Sequence, residues 1–234
     1  MRRQYGNRGN RSGGSPFPLQ AGDNLTRAEF LHRWKQHPKI KFAELIGGVV
    51  YMPSSVTRLH GVTNLHVTGL LGVYHAYTPG TEGGANATTM MEGEETPQPD
   101  DYLRILPEFG GQSGNEGEYV REAPELIAEI CVSGASYEIN QKFDLYERMG
   151  VLEYVAVLMY EREIRWHRLT LKGYQRVAPT TGMIWKSKIF PGLWLDGQAM
   201  LANDAAKVLA TLQQGLQSPE HAAFAKKLAK RKKK

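Results

Sequence analysis

Cysteine is almost missing from this sequence, and long apolar runs are missing altogether. Cys131 is the only cysteine in 234 residues. That excludes an intrachain disulfide framework and fits a reducing compartment, so a cytoplasmic location is expected. No stretch approaches the roughly 18 apolar residues of a transmembrane helix, so no membrane association is expected. The opening segment, MRRQYGNRGNRSGGSPFP, is basic but has no apolar run behind its charges, so it is not expected to act as a secretory signal. There is no internal repeat and no HExxH-type or His/Cys ligand cluster. His66 and His75 read as ordinary surface positions, and Cys131 as a small core residue. What is present is ordinary for a globular protein. With 41% apolar and 9% aromatic residues, the chain suits one sizeable domain with appendages.

The net charge of +5 conceals a segregation. Arg2, Arg3, Arg8 and Arg11 give the first sixteen residues +4, and seven Lys and Arg give the last nine +7, which leaves residues 17–225 near −6. The folded part is therefore mildly acidic. Basic ends of this kind either hold nucleic acid through phosphate neutralisation or are solvated, solubilising segments, and composition supports both. The expected organisation is a Gly/Arg-rich tail over 1–22, one domain over 23–215, and a Lys-rich tail over 216–234.

Along the domain, DNLTRAEFLHRWKQ predicts a helix with Asn24 as N-cap and Thr26 and Glu29 as a capping box. FAELIGGVVYMP predicts a hairpin turning at Gly47–Gly48. Helical spacing follows from Ser55 to about Tyr77 and stops at Pro79–Gly80. Strands are predicted near Thr88–Met91, at Tyr102–Leu106 and at Glu125–Val132, with a polar Gly-rich loop before the last. YEINQKFDLYERMG predicts a helix ended by Gly150. Three strands (EYVAVLM, EIRWHRLTL and YQRVAP), then FPGLWLD and a helix over about Gln198–Gln213 complete the domain. The Trp and Tyr residues of the late strands read as sheet packing. This order predicts an α/β fold with a central mixed sheet flanked by helices.

Glu129 is the conspicuous residue. It lies inside an apolar strand between Ile127, Ala128, Ile130 and Val132, where an unpartnered carboxylate loses several kcal/mol of solvation. Asp100, in QPDDYLRI, opens the preceding strand. Carboxylates on neighbouring strands can converge on a hard divalent ion, Mg²⁺ or Mn²⁺, which takes oxygen ligands and retains water. Lys142 stands thirteen residues after Glu129 on the next helix, and a short loop folds that helix back over the sheet. Two acids and a lysine at one point suit phosphodiester hydrolysis. The same residues also fit a partly buried Glu129–Lys142 ion pair, with Asp100 or Asp101 capping a turn after Pro99.

The pieces LTRAEFL, AELIGGVVYMPSS, RLHGVTNL, PDDYLRI, PELIAEICVSGAS, QKFDLYERMGVLEYVAV and FPGLWLD, in this order over roughly Leu25 to Asp196, resemble the Uma-type restriction endonucleases, a branch of the PD-(D/E)xK nuclease superfamily. The resemblance implies a restriction-endonuclease-like core and metal-dependent cleavage of DNA. It implies that Asp100 and Glu129 are the metal-binding acids, that Lys142 is the catalytic lysine supplied from the following helix, and that Glu44 is an N-terminal acid joining the site. His60 also matches a family position, at which it either touches phosphate or is structural. Two departures stand out: Cys131 occupies the usual lysine place, and Ser133–Gly134–Ala135–Ser136 replaces the usual Ser-Pro-Ser. A homodimer is compatible, since two strands need two sites. The competing expectations are a catalytically inactive nucleic-acid-binding protein working through its basic tails, and a scaffold that keeps the fold without the activity.

Overall fold

The computed structural model describes residues 17–52, 55–132 and 137–232, with 137–139 described by backbone alone. The residues before Phe17, Pro53 and Ser54, residues 133–136, Lys233 and Lys234 lie outside the described residues.

The chain opens with α1 (Arg27–Gln36), whose N-cap is Thr26: its hydroxyl accepts from the Glu29 amide at 3.3 Å. Asn24, the cap position expected from the sequence, instead bridges Val49. β1 (Glu44–Ile46) and β2 (Val49–Tyr51) form the expected hairpin. Its two-residue turn places Gly47 and Gly48 at φ 59° and 77°, a conformation glycine adopts without strain. The hairpin and α1 close over Leu19, Phe30, Ala43, Leu45 and Val50.

The central sheet follows. After α2 (Arg58–Tyr77) come β3 (Thr81–Ala85), β4 (Thr89–Met90), β5 (Asp101–Ile105), β6 (Gly114–Glu116), β7 (Tyr119–Arg121), β8 (Leu126–Cys131), α3 (Tyr137–Met149), β9 (Glu153–Leu158), β10 (Glu163–Thr170) and β11 (Gly173–Arg176). Six of these strands pair in the order β11-β10-β9-β8-β5-β3. β8 and β9 run parallel, joined across α3, and the other neighbours are antiparallel, so the sheet is mixed. The residues expected to form a polar loop before β8 include the β6–β7 hairpin, to which β4 adds a parallel strand.

Strand alternation sorts the side chains. Leu126, Ala128 and Ile130 of β8 pack with Val67, Leu70 and Leu71 of α2, beside Trp166 and Trp185. Ile127 faces the other way, into a second core with Tyr102, Leu145, Tyr146, Tyr154 and Leu158 under α3. Glu129, two residues on, belongs to this α3 side.

The C-terminal part departs most from the sequence expectation. β12 (Ile184–Lys186) pairs with β13 (Trp194–Asp196). The helix expected over 198–213 is two helices, α4 (Gly197–Leu201) and α5 (Ala205–Leu216). They are separated by Asn203 at φ 57° and restarted by Asp204, whose carboxylate accepts from the Lys207 amide. The segment read as a Lys-rich tail from residue 216 contains α6 (Pro219–Arg231), capped by Ser218. Its C-terminal half is basic, but His221, Phe224 and Leu228 fall on one side and pack inward. His221 Nε2 lies 2.9 Å from the buried Thr78 hydroxyl, and Lys232 lies over the Phe109 ring. Among the described residues no helix is long and apolar enough to cross a membrane.

Candidate active site

The β5–β8 pairing sets the geometry. Asp101 opposes Ala128, so Asp100, just before β5, comes beside the C-terminal part of β8. Asp100 Oδ2 accepts the Ile130 amide at 2.8 Å and stands 3.5 Å from His60 Nε2, in the first turn of α2. Burial alone would raise this carboxyl. The contacts from His60 and Ile130, with the charge of Lys142, bring it below the usual range. Oδ1 carries no hydrogen bond among the described residues. Asp101, the other aspartate of the pair, turns to α2, where Thr68 donates to its Oδ1 at 2.7 Å. Burial pushes Asp101 up to about 7. The structure thus gives the two neighbouring aspartates different partners.

Glu129 is fully enclosed. Tyr146 donates its hydroxyl to Oε1 at 2.7 Å, and Lys142 Nζ lies 3.2 Å from Oε1 and 3.3 Å from Oε2. Lys142 and Tyr146 are four residues apart on α3, so both face the strand together. Burial raises Glu129 to about 8. Lys142 opposes that rise, Asp100 and Glu44 add to it, and the Tyr146 hydroxyl lowers it.

Glu44 arrives from the N-terminal hairpin. Its Oε1 accepts the Gln98 amide at 2.7 Å and lies 3.1 Å from Lys142 Nζ. The Gln98 side chain donates to the Thr88 hydroxyl and accepts from the Ala43 amide, which ties the hairpin to the segment before β5.

All four residues singled out in the sequence, Glu44, Asp100, Glu129 and Lys142, therefore meet. Glu44 and Glu129 share the Lys142 ammonium, with Asp100 near enough to feel its charge, and burial pushes the innermost carboxylate, Glu129, towards its neutral form. The oxygen-only donor set, with open acceptor capacity on Asp100, fits a hard divalent cation. Among the described residues no three Asp, Glu, His or Cys side chains form a ready-made ligand cluster. Lys142 stands between Glu44 and Glu129, so the arrangement suits ligation by two carboxylates with water completing the shell.

Tyr146 is the functional candidate that sequence reasoning missed. Its spacing of four from Lys142 on the same helix carries the signal. Cys131, in the usual lysine place, is half-buried against the second core.

The profile of the Uma2 family, described as "Putative restriction endonuclease", matches residues 27–198. The chain belongs to this family. The matched Uma2 span runs from the first residue of α1 into α4 and includes all four site residues. The fold is also that of a crystal structure of "a putative nuclease belonging to DUF820 from Anabaena variabilis", with a TM-score of 0.59 at 12% identity over 76% of this chain and 98% of that one. At that identity the likeness is one of fold, and it bears out the restriction-endonuclease-like core. No curated protein matches the chain.

Proposed function

We propose that the protein is a divalent-metal-dependent endonuclease that hydrolyses DNA phosphodiester bonds, with Asp100 and Glu129 as metal ligands. The observation carrying this reading is the convergence of Glu44 and Glu129 on one lysine, with Asp100 beside them, in a family described as "Putative restriction endonuclease". A Mg²⁺ or Mn²⁺ ion, when bound, supplies Lewis-acid activation of water and neutralises phosphate charge.

The remaining tasks fall to the chain. The Ile130 amide and His60 hold Asp100 Oδ2, leaving Oδ1 as its open donor. Tyr146 fixes Glu129 Oε1, and the buried surroundings exclude competing water. Lys142 places its ammonium beside the phosphate position, where it orients the attacking water or offsets charge that builds on the phosphorane. Glu44, held by the Gln98 amide, fixes where that ammonium stands. A homodimer would supply one such site for each strand.

Incubation of supercoiled plasmid with Mg²⁺ tests the assignment. Nicking by the wild type, with loss in Asp100→Ala and in EDTA, is expected. Cutting by Asp100→Ala at the wild-type rate would remove Asp100 from the site.

The lysines of α6 favour a second reading, nucleic-acid binding without catalysis. Lys226, Lys227 and Lys230 are exposed on a helix that packs at Phe109, beyond the end of β5 opposite to Asp100. On that reading, replacing these lysines by glutamine would abolish binding and flatten its salt dependence by about 0.9 per lost duplex phosphate contact. Unchanged binding refutes it.

A further inference from the structure

A polyanion approaching three carboxylates needs positive charge close by, and Lys142 is already shared by two of them. The lysines of α6 stand at the other end of the sheet. The nearest cations along the chain precede Glu44, in KQHPKIKFAE, where Lys35, Lys39 and Lys41 occur with no acid before Glu44. All three lysines are exposed. Phe42, between Lys41 and the fully buried Ala43, is 48% exposed, so its ring has a face open to solvent beside the lysines.

The backbone on both sides of this pair is fixed. The Trp34 indole donates to the Ile40 carbonyl at 2.8 Å, and the Ile40 amide donates to the His37 carbonyl at 2.9 Å. On the other side the Ala43 amide donates to Gln98 Oε1 at 3.2 Å, and Gln98 in turn holds Glu44. Lys41 and Phe42 are thus presented outward from anchored chain. Their distance from the carboxylates is bounded by covalent geometry. At no more than about 3.6 Å per residue, the Phe42 Cα lies within about 7 Å of the Glu44 Cα and the Lys41 Cα within about 11 Å.

We propose that Lys39, Lys41 and Phe42 form a binding site for a single-stranded nucleic-acid segment beside the carboxylate cluster. Lys39 and Lys41 neutralise successive phosphates, and the Phe42 ring stacks on a base. Stacking sets the strand form. In a duplex both faces of each base are covered by neighbouring pairs, whereas an unpaired base offers a face to an exposed ring. The substrate class this adds is nucleic acid with a single-stranded flank, overhang or bubble at the cleavage point. The proposal rests on the nuclease reading above.

The test is fluorescence anisotropy in EDTA with a labelled oligothymidylate single strand and a labelled blunt duplex, using the intact protein. Phe42→Leu keeps an apolar side chain but has no stacking face, and Phe42→Trp enlarges that face. Phe42→Leu is expected to weaken single-strand binding about ten-fold, Phe42→Trp to retain it, and both to leave duplex binding and the melting temperature unchanged. The double variant Lys39→Ser, Lys41→Ser is expected to flatten the salt dependence of single-strand binding by about 0.7 for each lost phosphate contact. Wild-type affinity in Phe42→Leu overturns the proposal, as does equal loss on both strand forms or no binding by the wild type. Metal-dependent plasmid nicking by the wild type, measured separately, shows whether the nuclease reading stands when the single-strand site falls.

Discussion

Replacing Lys142 with methionine retains the length and apolar stem of the side chain and deletes only the ammonium. That group lies 3.1 Å from Glu44 Oε1 and 3.2 Å from Glu129 Oε1. Deleting one partner of a buried ion pair costs about 3–5 kcal/mol when the other stays ionised. Glu129 has an alternative, because burial already raises its carboxyl to about 8. Below that pH it carries a proton in the wild type, and the lysine has less charge to offset. The group has a raised folded-state pKa, so its contribution to stability is present at low pH and is lost as pH rises through about 8. Lys142 lowers that pKa, so Lys142→Met raises it further. Each pH unit over which Glu129 is ionised in the wild type and neutral in the variant adds about 1.4 kcal/mol to the difference. The destabilisation by Lys142→Met is therefore expected to be about 1 kcal/mol larger at pH 9 than at pH 6. Urea denaturation followed by fluorescence of the buried Trp166 and Trp185 measures it. The same loss at both pH values would refute the reasoning.

Three further outcomes follow from the packing. Tyr146→Phe removes the 2.7 Å hydrogen bond to Glu129 without changing shape, and is expected to weaken Mn²⁺ binding about ten-fold by calorimetry; unchanged affinity contradicts its positioning role. Glu153 is fully buried and raised by burial against hydrogen bonds from Ser187, Lys188 and Arg168, so its share of stability falls as pH rises through its raised pKa. Glu153→Gln is expected to cost about 1–3 kcal/mol in urea denaturation and to remove that slope, and a variant with the wild-type pH profile contradicts this. In Gly215→Ala the new Cβ would stand 2.2 Å from the Gly192 carbonyl oxygen, so a loss of about 1–3 kcal/mol is expected in thermal melting, with Mn²⁺ binding unchanged; an unaltered melting temperature contradicts the close packing of α5 on that loop.

The sheet and the site were legible in the sequence for different reasons. β8 and β9 announce themselves as dense apolar runs, and Glu129 stands out because it violates that pattern. Gly47–Gly48 and Gly150 mark their turns through chain geometry alone. β3, with the sequence TEGGA, has neither apolar alternation nor β-branched density, and is a strand only because β5 pairs with it. α6 was hidden because its basic residues run into the Lys-rich end of the chain and mask the three residues that dock it. At the site, residue type and order brought Asp100, Glu129 and Lys142 forward, and Glu44 came from the family pattern. The partners that fix them, Tyr146, His60 and the Gln98 amide, act through contacts between elements distant in the chain. Asp100 rather than Asp101 also came from the family pattern, and what needed structure is the different partners of the two side chains, Ile130 and His60 for one and Thr68 for the other.

The rate of supercoiled-plasmid nicking as a function of Mg²⁺ concentration, for the wild type and Glu129→Ala side by side, tests the central claim most directly. A saturable rise with Mg²⁺ in the wild type and no rise in Glu129→Ala is the predicted result. The same Mg²⁺ curve for both proteins would contradict the claim that Glu129, held by Lys142 and Tyr146, is a metal-binding carboxylate of a nuclease.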